Sequence, residues 1–329
     1  MKKIVLFLLV VSSFVYAKVN TVVSILPQKT FVEAIGGDKV NVSLMVKPGD
    51  SPHTYEPKPS QMRDISKAKL YFSIGVEFEE VWLPKFADLN KRMKIANMAK
   101  GIEKIEMEAH SHGEHEDHEE HAKHDEHDHD EHKHHAHEKH DEHDHHGEHE
   151  KHDDHDEHEE HAKHDHDHDG LDPHVWLSPE KVKQLADNIL KYLVKVDRAN
   201  ESYYKANYDK FIAKVEDTDK QIKTILKDVP DHSSFLIAHP AWGYFAHSYD
   251  LEQISIEVEG KNPKPKQIVE MIEKAKKENV RVVFTSPEYT DAIAGQIAKE
   301  LKVKVVKVSP LNPNWSQNLI NFAKAIANK

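Results

Sequence analysis

Apolar positions along this chain fall into short β-branched runs separated by stretches with helical spacing. Val19 to Leu26 reads as a strand, and Pro27 opens a helix toward Gly36-Gly37. Val40 to Val46 alternates apolar and polar in part and breaks at Pro48-Gly49. A Pro-rich loop carrying His53, Tyr55 and Glu56 follows, then a helix opened by Pro59-Ser60 and ending near Ala68. Leu70 to Ile74 is a third strand, Glu79 to Ala87 a short helix and Met93 to Ala96 a fourth strand. Strand and helix alternating in this way predict a parallel sheet with helices on its faces.

The same rhythm returns after residue 170. Ser178 reads as an N-cap and Pro179 as the first helical residue of a helix to about Val196. A longer helix, from about Ala199 to Lys227, carries Tyr204, Tyr208, Phe211, Val215, Ile222 and Ile225 in steps of three and four, with Thr218 filling the gap. Without internal Gly or Pro, it is long enough to cross between two lobes, or it packs as an ordinary helix. Strands then fall at Phe235 to Ala238, Leu251 to Ile256, Arg281 to Thr285 and Val303 to Val308. Helices fall at Ala241 to Ser248, Lys266 to Glu278, Thr290 to Leu301 and Trp315 to Ala327.

Between the two rhythms lies a stretch with no apolar run. Residues 110–169 hold 24 of the 29 histidines, 25 acidic residues and five lysines. HEEHAKHD occurs twice, at His118–Asp125 and His158–Asp165, and HDEHD twice, at His124–Asp128 and His140–Asp144. Such a segment cannot bury enough apolar surface to offset its ordering entropy and is expected to be disordered. Imidazole and carboxylate are ligands for first-row divalent metals. His110, His112, His115, His118, His121, His124, His127 and His129 open this accessory metal loop.

The tract also changes the reading of charge. The whole chain is −13, but the tract alone is −20, leaving +7 elsewhere. That remainder shows no basic stripe with interleaved aromatics, so nucleic acid is not an expected partner. Lys2-Lys3, the apolar run Ile4 to Val11 and Val15-Tyr16-Ala17 make a secretion signal with cleavage before Lys18. The run is too short to span a bilayer. With no cysteine, disulfides, thiolate ligands and lipidation on cysteine are all excluded, which points to a free periplasmic protein. The expected organisation is a signal peptide (1–17), an N-terminal α/β lobe (18–100), a disordered loop rich in His, Asp and Glu (101–169), the end of the first lobe (170–198), a linking helix (199–229) and a C-terminal α/β lobe (230–329).

Five histidines stand outside the tract: His53, His174, His232, His239 and His247. His53 follows a strand of the first lobe, and His239 sits at the carboxyl end of a strand in the second. Ligands in open α/β sheets bind outside those ends. His174 precedes a helix start between Pro173 and Trp176. A cleft between lobes would gather these three. His232, in a polar turn, reads as solvated, and His247 as a charge near a helix end.

HTYEP at His53–Pro57, DPHVWLSP at Asp172–Pro179 and HPAWGYF at His239–Phe245 resemble the signature segments of the ZnuA-like periplasmic zinc-binding proteins of ABC importers, and the loop EGKNPKP at Glu259–Pro265 is similar too. The resemblance covers essentially the whole chain after the leader. It implies two α/β lobes, each a mostly parallel sheet flanked by helices, joined by one long helix, with the metal between them and a His-rich insertion after the first lobe. It implies His53, His174 and His239 as metal ligands, Zn²⁺ as the transported ligand, a membrane permease as partner and a monomer. Manganese-type relatives usually carry a carboxylate at the His239 position. Three neutral imidazoles suit Zn²⁺ better than Mn²⁺, although affinity alone ranks Cu²⁺ and Ni²⁺ beside zinc. A manganese or other divalent-metal protein of the same fold is the alternative.

The chain also departs from that pattern. The segment Leu311 to Trp315, where manganese-type members place a late Asp, holds Asn312 and Asn314 and no acid. Ser286 stands where a Glu is common. Three occupants suit the fourth coordination position: water, Glu56 or a tract histidine, with Glu56 equally able to orient an imidazole. Three histidines and an open position are also the layout of a hydrolytic zinc. No general base or oxyanion donor accompanies the motifs, and His53-x-x-Glu56 is not the helical HExxH arrangement, so the chain does not read as an enzyme.

Overall fold

The computed structural model describes residues 18–107, 170–257, 262–288 and 292–328. The leader, the His-rich tract, the start of the EGKNPKP loop and the expected helix start at Thr290 lie outside them.

The first half builds β1 (Val19–Val23), α1 (Leu26–Gly36), β2 (Val40–Leu44), α2 (Pro59–Lys67), β3 (Leu70–Ser73), α3 (Glu77–Leu89) and β4 (Lys94–Asn97). The expected first strand stops at Val23 rather than Leu26, because Pro27 falls in the first turn of α1 and its fixed φ favours helix there. Helix α3 is longer at both ends than its apolar pattern suggested and keeps Pro84 inside. After residue 170 come α4 (Pro179–Val196), α5 (Glu201–Leu226), β5 (Ser233–Ile237), α6 (Gly243–Ser248), β6 (Leu251–Ser255), α7 (Pro265–Lys277), β7 (Val282–Thr285), α8 (Ala292–Leu301), β8 (Lys304–Lys307) and α9 (Trp315–Ile326). The Ser178 side chain caps α4 by accepting from the Lys181 N–H, with Pro179 in the first turn.

The strands form two four-stranded sheets, ordered β2-β1-β3-β4 and β6-β5-β7-β8, and every pairing is parallel. The two halves therefore repeat one topology. In each, the order reverses at the first strand of the half, so the loops after β1–β3 and after β5–β7 crowd around a crevice at the carboxyl ends.

All described residues belong to one compact unit. Helix α5 joins the halves and packs on α1 from the first and α9 from the second. At about 1.5 Å per residue its 26 residues span roughly 39 Å. It buries Tyr204, Phe211, Val215, Thr218, Ile222 and Leu226, so the predicted stripe is the packed face, with Leu226 in place of Ile225 at its end. Phe31 of α1 meets Phe211 of α5 at 5.4 Å between ring centroids and Trp315 of α9 edge-on at 5.6 Å. One apolar cluster thus runs from the first sheet through α5 into the second.

Candidate metal centre

Each candidate ligand comes from a segment whose local structure is fixed independently. His53 lies in the loop after β2, and His239 stands two residues after β5. His174 is held by the short helical turn Val175–Leu177, which buries Val175, Trp176 and Leu177. The Trp176 indole N–H donates to the Pro310 carbonyl at 2.8 Å, and the Trp315 indole N–H donates to the Trp176 carbonyl at 2.6 Å. These two bonds tie the His174 turn to the loop after β8 and to the start of α9.

The structure brings the three rings together. Centroids are 5.2 Å apart for His53 and His239 and 5.5 Å apart for His174 and His239. An imidazole bound to zinc through one nitrogen at ~2.0–2.1 Å has its centroid ~3.2 Å from the ion, so two at a tetrahedral angle sit about 5.2 Å apart. The two spacings to His239 lie at and slightly above that value. Among the described residues, no group of three or more His, Cys, Asp or Glu side chains is arranged, as it stands, so that it could hold a metal ion. The centroid distances therefore describe the convergence of rings.

Every ring is also fixed from behind by a carboxylate. His53 Nδ1 meets Glu77 Oε2 at 2.5 Å, His174 Nδ1 meets Asp172 Oδ1 at 2.7 Å, and His239 Nδ1 meets Glu257 Oε2 at 2.8 Å. A carboxylate accepting from Nδ1–H sets the tautomer that presents Nε2 as the ligand nitrogen, the arrangement typical of metal-binding histidines. Asp172 is itself anchored: its Oδ1 accepts from the His174 N–H, and its carbonyl accepts from the Tyr244 hydroxyl. Gly243 permits this approach, since a Cβ there would lie 2.9 Å from Asp172 Oδ2.

Electrostatics follow from burial. Desolvation lowers the His239 pKa below its ordinary value, against the opposing pull of Glu257, so the ring favours the neutral form that a metal requires. The hydrogen bond with His53 lowers the Glu77 carboxyl, against a smaller desolvation cost.

A small cavity touches this cluster, walled by His53, Glu77, His174 and Glu288 together with the apolar faces of Trp176 and Leu311. Its volume is about 20 Å³, room for about one water or ion and for no organic substrate. His239 is outside that wall, with its ring at the distances given above. Glu288 accepts from the hydroxyls of Ser286 and Ser309, at the carboxyl ends of β7 and β8. Glu56 is exposed and does not line the cavity, and its suggested orienting role toward His53 is taken by Glu77. Asn312 and Asn314 serve the loop, since the Asn312 side chain accepts from the Asn314 N–H and donates to Asn318. The His232 side chain is 76% exposed, and His247 is exposed in the last turn of α6.

Sequence reasoning missed Glu77, Asp172, Glu257 and Glu288. One signal was available: all but Asp172 follow the carboxyl end of a strand, β3, β6 and β7 respectively. Asp172 was visible within DPHVWLSP but was not given a task.

The chain belongs to the family described as zinc-uptake complex component A periplasmic (ZnuA), which matches residues 21–328. It is 28% identical over 301 residues to the high-affinity zinc uptake system protein ZnuA of Bacillus subtilis, covering 89% of this chain and 79% of that one. It spans half the length of the zinc-binding protein AdcA of Streptococcus pyogenes, which it matches at 28% identity over 89% of its own length. Among solved structures, a crystal structure of ZnuA superposes with TM-score 0.74 at 34% identity, over 95% of this chain and 99% of that one. A zinc-bound ZnuA with residues 138–173 of its own sequence deleted superposes with TM-score 0.73 at 33% identity, over 95% and 98%. These relatives are zinc-binding transport proteins and not enzymes. No helix among the described residues is long and apolar enough to cross a membrane.

Proposed function

We propose that this protein captures Zn²⁺ outside the cytoplasmic membrane through Nε2 of His53, His174 and His239 and delivers it to the permease of an ABC importer. The observation that carries this reading is the convergence of the His53 and His174 rings on His239, at 5.2 and 5.5 Å between centroids, each of the three with a carboxylate on Nδ1. An all-imidazole ligand set suits Zn²⁺ and disfavours Mn²⁺, which takes oxygen. Water takes the open coordination position, beside a cavity wall that holds Glu288 and not Glu56. The leader exports the chain, which works as a monomer.

The His-rich tract then acts as an accessory collector or sensor. Its imidazoles and carboxylates make many weak, exchanging sites beside one tight one. A hydrolytic role would need room for a substrate, and a cavity of about 20 Å³ offers none. The test is a chelator-competition titration of the full chain. A single tight zinc event is expected, lost in His174→Ala, with the weaker events retained. A tight event that survives His174→Ala but disappears when residues 110–169 are deleted would move the primary site into the tract.

A further inference from the structure

The two ends of the described fold that flank the His-rich tract are paired in a short stem. The Met107 N–H donates to the Gly170 carbonyl at 2.6 Å and the Asp172 N–H to the Ile105 carbonyl at 2.9 Å, on either side of an antiparallel bridge between Glu106 and Leu171. The stem therefore ends on Asp172, the residue whose carboxylate meets His174 Nδ1.

Asp172 reaches a ring only two residues along the chain, so the direction of its carboxylate depends on its own backbone. Three features fix that backbone. Pro173 follows it and restricts it to extended conformations, which suit a paired stem. Its N–H is taken by Ile105, and its carbonyl accepts from the Tyr244 hydroxyl at 3.0 Å. That hydroxyl accepts in turn from the Ile105 N–H at 3.1 Å. A phenol has one proton to donate and lone pairs with which to accept, and Tyr244 uses both functions, one on each strand of the stem. Tyr244 and Asp172 are both buried, so little water is at hand to replace these bonds. The preceding residue, Gly243, leaves room for the Asp172 carboxylate and lies near the Ile105 side chain as well.

We propose that Tyr244 is a positioning residue for zinc: its hydroxyl closes the stem onto Asp172 and, through that carboxylate, sets the His174 ring. The inference rests on His174 being a ligand, as proposed above. It gives the segment from His239 to Tyr244 two tasks, a ligand of its own and the support of another. It also divides the stem from the tract that the stem carries: residues 105–107 and 170–172 belong to the metal site, whatever the residues between them bind.

The experiment is a chelator-competition titration of the full chain, read on the tight zinc event, with Tyr244→Phe, Asp172→Ala, the double variant and Tyr249→Phe. Tyr249 is the control, a neighbouring tyrosine packed on Phe245 whose hydroxyl instead donates to Asp219 of α5 at 2.9 Å. Tyr244→Phe is expected to weaken zinc binding about tenfold, at the low end of what a lost outer partner costs. Tyr249→Phe should stay within about twofold of the wild type. The double variant should bind as Asp172→Ala does, within about twofold, because Tyr244 acts through that carboxylate. One equivalent of Co²⁺ in place of zinc adds a spectroscopic signature: Tyr244→Phe should shift its visible ligand-field bands, and Tyr249→Phe should leave them in place. Four results oppose the inference: wild-type affinity in Tyr244→Phe, an equal loss in Tyr249→Phe, a Tyr244→Phe loss that adds in full to that of Asp172→Ala, or unchanged cobalt bands in Tyr244→Phe. Any of these, with the tight event lost in His174→Ala, overturns the inference alone. A tight event that survives His174→Ala overturns the ligand assignment and the inference with it.

Discussion

His53 and His239 belong to two sheets of the same topology, yet they are held differently. The His239 side chain is 8% exposed and its partner Glu257 19%, whereas the His53 side chain is 27% exposed and Glu77 58%. His174 and Asp172 side with the buried pair, at 7% and 2%. Two of the three imidazole–carboxylate pairs are thus set in the packed interior, and the third sits at its rim on the loop after β2. Under the proposed function, a cation arriving from solvent would meet the His53 side first and be enclosed by the other two. The sheets also contribute complementary groups: the first supplies an imidazole after β2 and a carboxylate after β3, the second an imidazole after β5 and carboxylates after β6 and β7.

The contrast between buried and rim pairs predicts a ladder of effects. The largest belongs to the buried ligands. His174→Ala or His239→Ala should each weaken zinc binding roughly a thousandfold or more, about 4 kcal/mol, in a competition titration. His53→Ala should cost less, and equal losses at all three would erase the distinction.

Next comes the support beneath the rim. Glu79, fully buried, accepts from the Ile74 and Gly75 N–H groups and the Ser24 hydroxyl, and so fixes the turn that leads to Glu77. Burial pushes its carboxyl from 4.5 up to about 7, against those hydrogen bonds. The native state then holds this proton more tightly than the unfolded chain does. The contribution to stability is fully present below about pH 4.5 and is lost as pH rises through about 7, on the order of 3 kcal/mol in all. Denaturant melts of the metal-free protein between pH 5 and 8 should show that decline, and Glu79→Gln should flatten it. A wild-type profile that rises across the window would contradict the assignment.

Smaller effects come from the orienting carboxylates. Asp172→Asn and Glu257→Gln should each lower zinc affinity by about 10–100-fold while leaving one zinc bound per tight site. At the rim, Glu77→Gln should fall at or below the bottom of that range, about tenfold, because solvent already screens the pair. If Glu77→Gln proved the most damaging of the three, the buried half would not be the organising half.

Much of this was legible in the sequence, for identifiable reasons. Pro27, Pro59, Pro179 and the cap Ser178 mark helix starts locally, so α1, α2 and α4 could be read from neighbours in the chain. His53, His174 and His239 were legible because each follows a strand or precedes a cap within a signature segment. Their carboxylates were harder to see. Glu77, Asp172 and Glu257 have no common spacing to their histidines, at 24, 2 and 18 residues, and meet them only through tertiary packing. Sequence nearness favoured Glu56, three residues from His53, but the loop leaves that side chain in solvent. The acid absent from Leu311 to Trp315 and from position 286 reappears as Glu288, fastened by the serine that stands at 286.

The central claim is that three isolated histidines, and none of the 24 in the tract, make the tight site. A chelator-competition titration of the full chain carrying His53→Ala, His174→Ala and His239→Ala together tests it most directly. The account predicts that the tight zinc event vanishes while the weaker events of the intact tract remain. A tight event retained at wild-type affinity would contradict it.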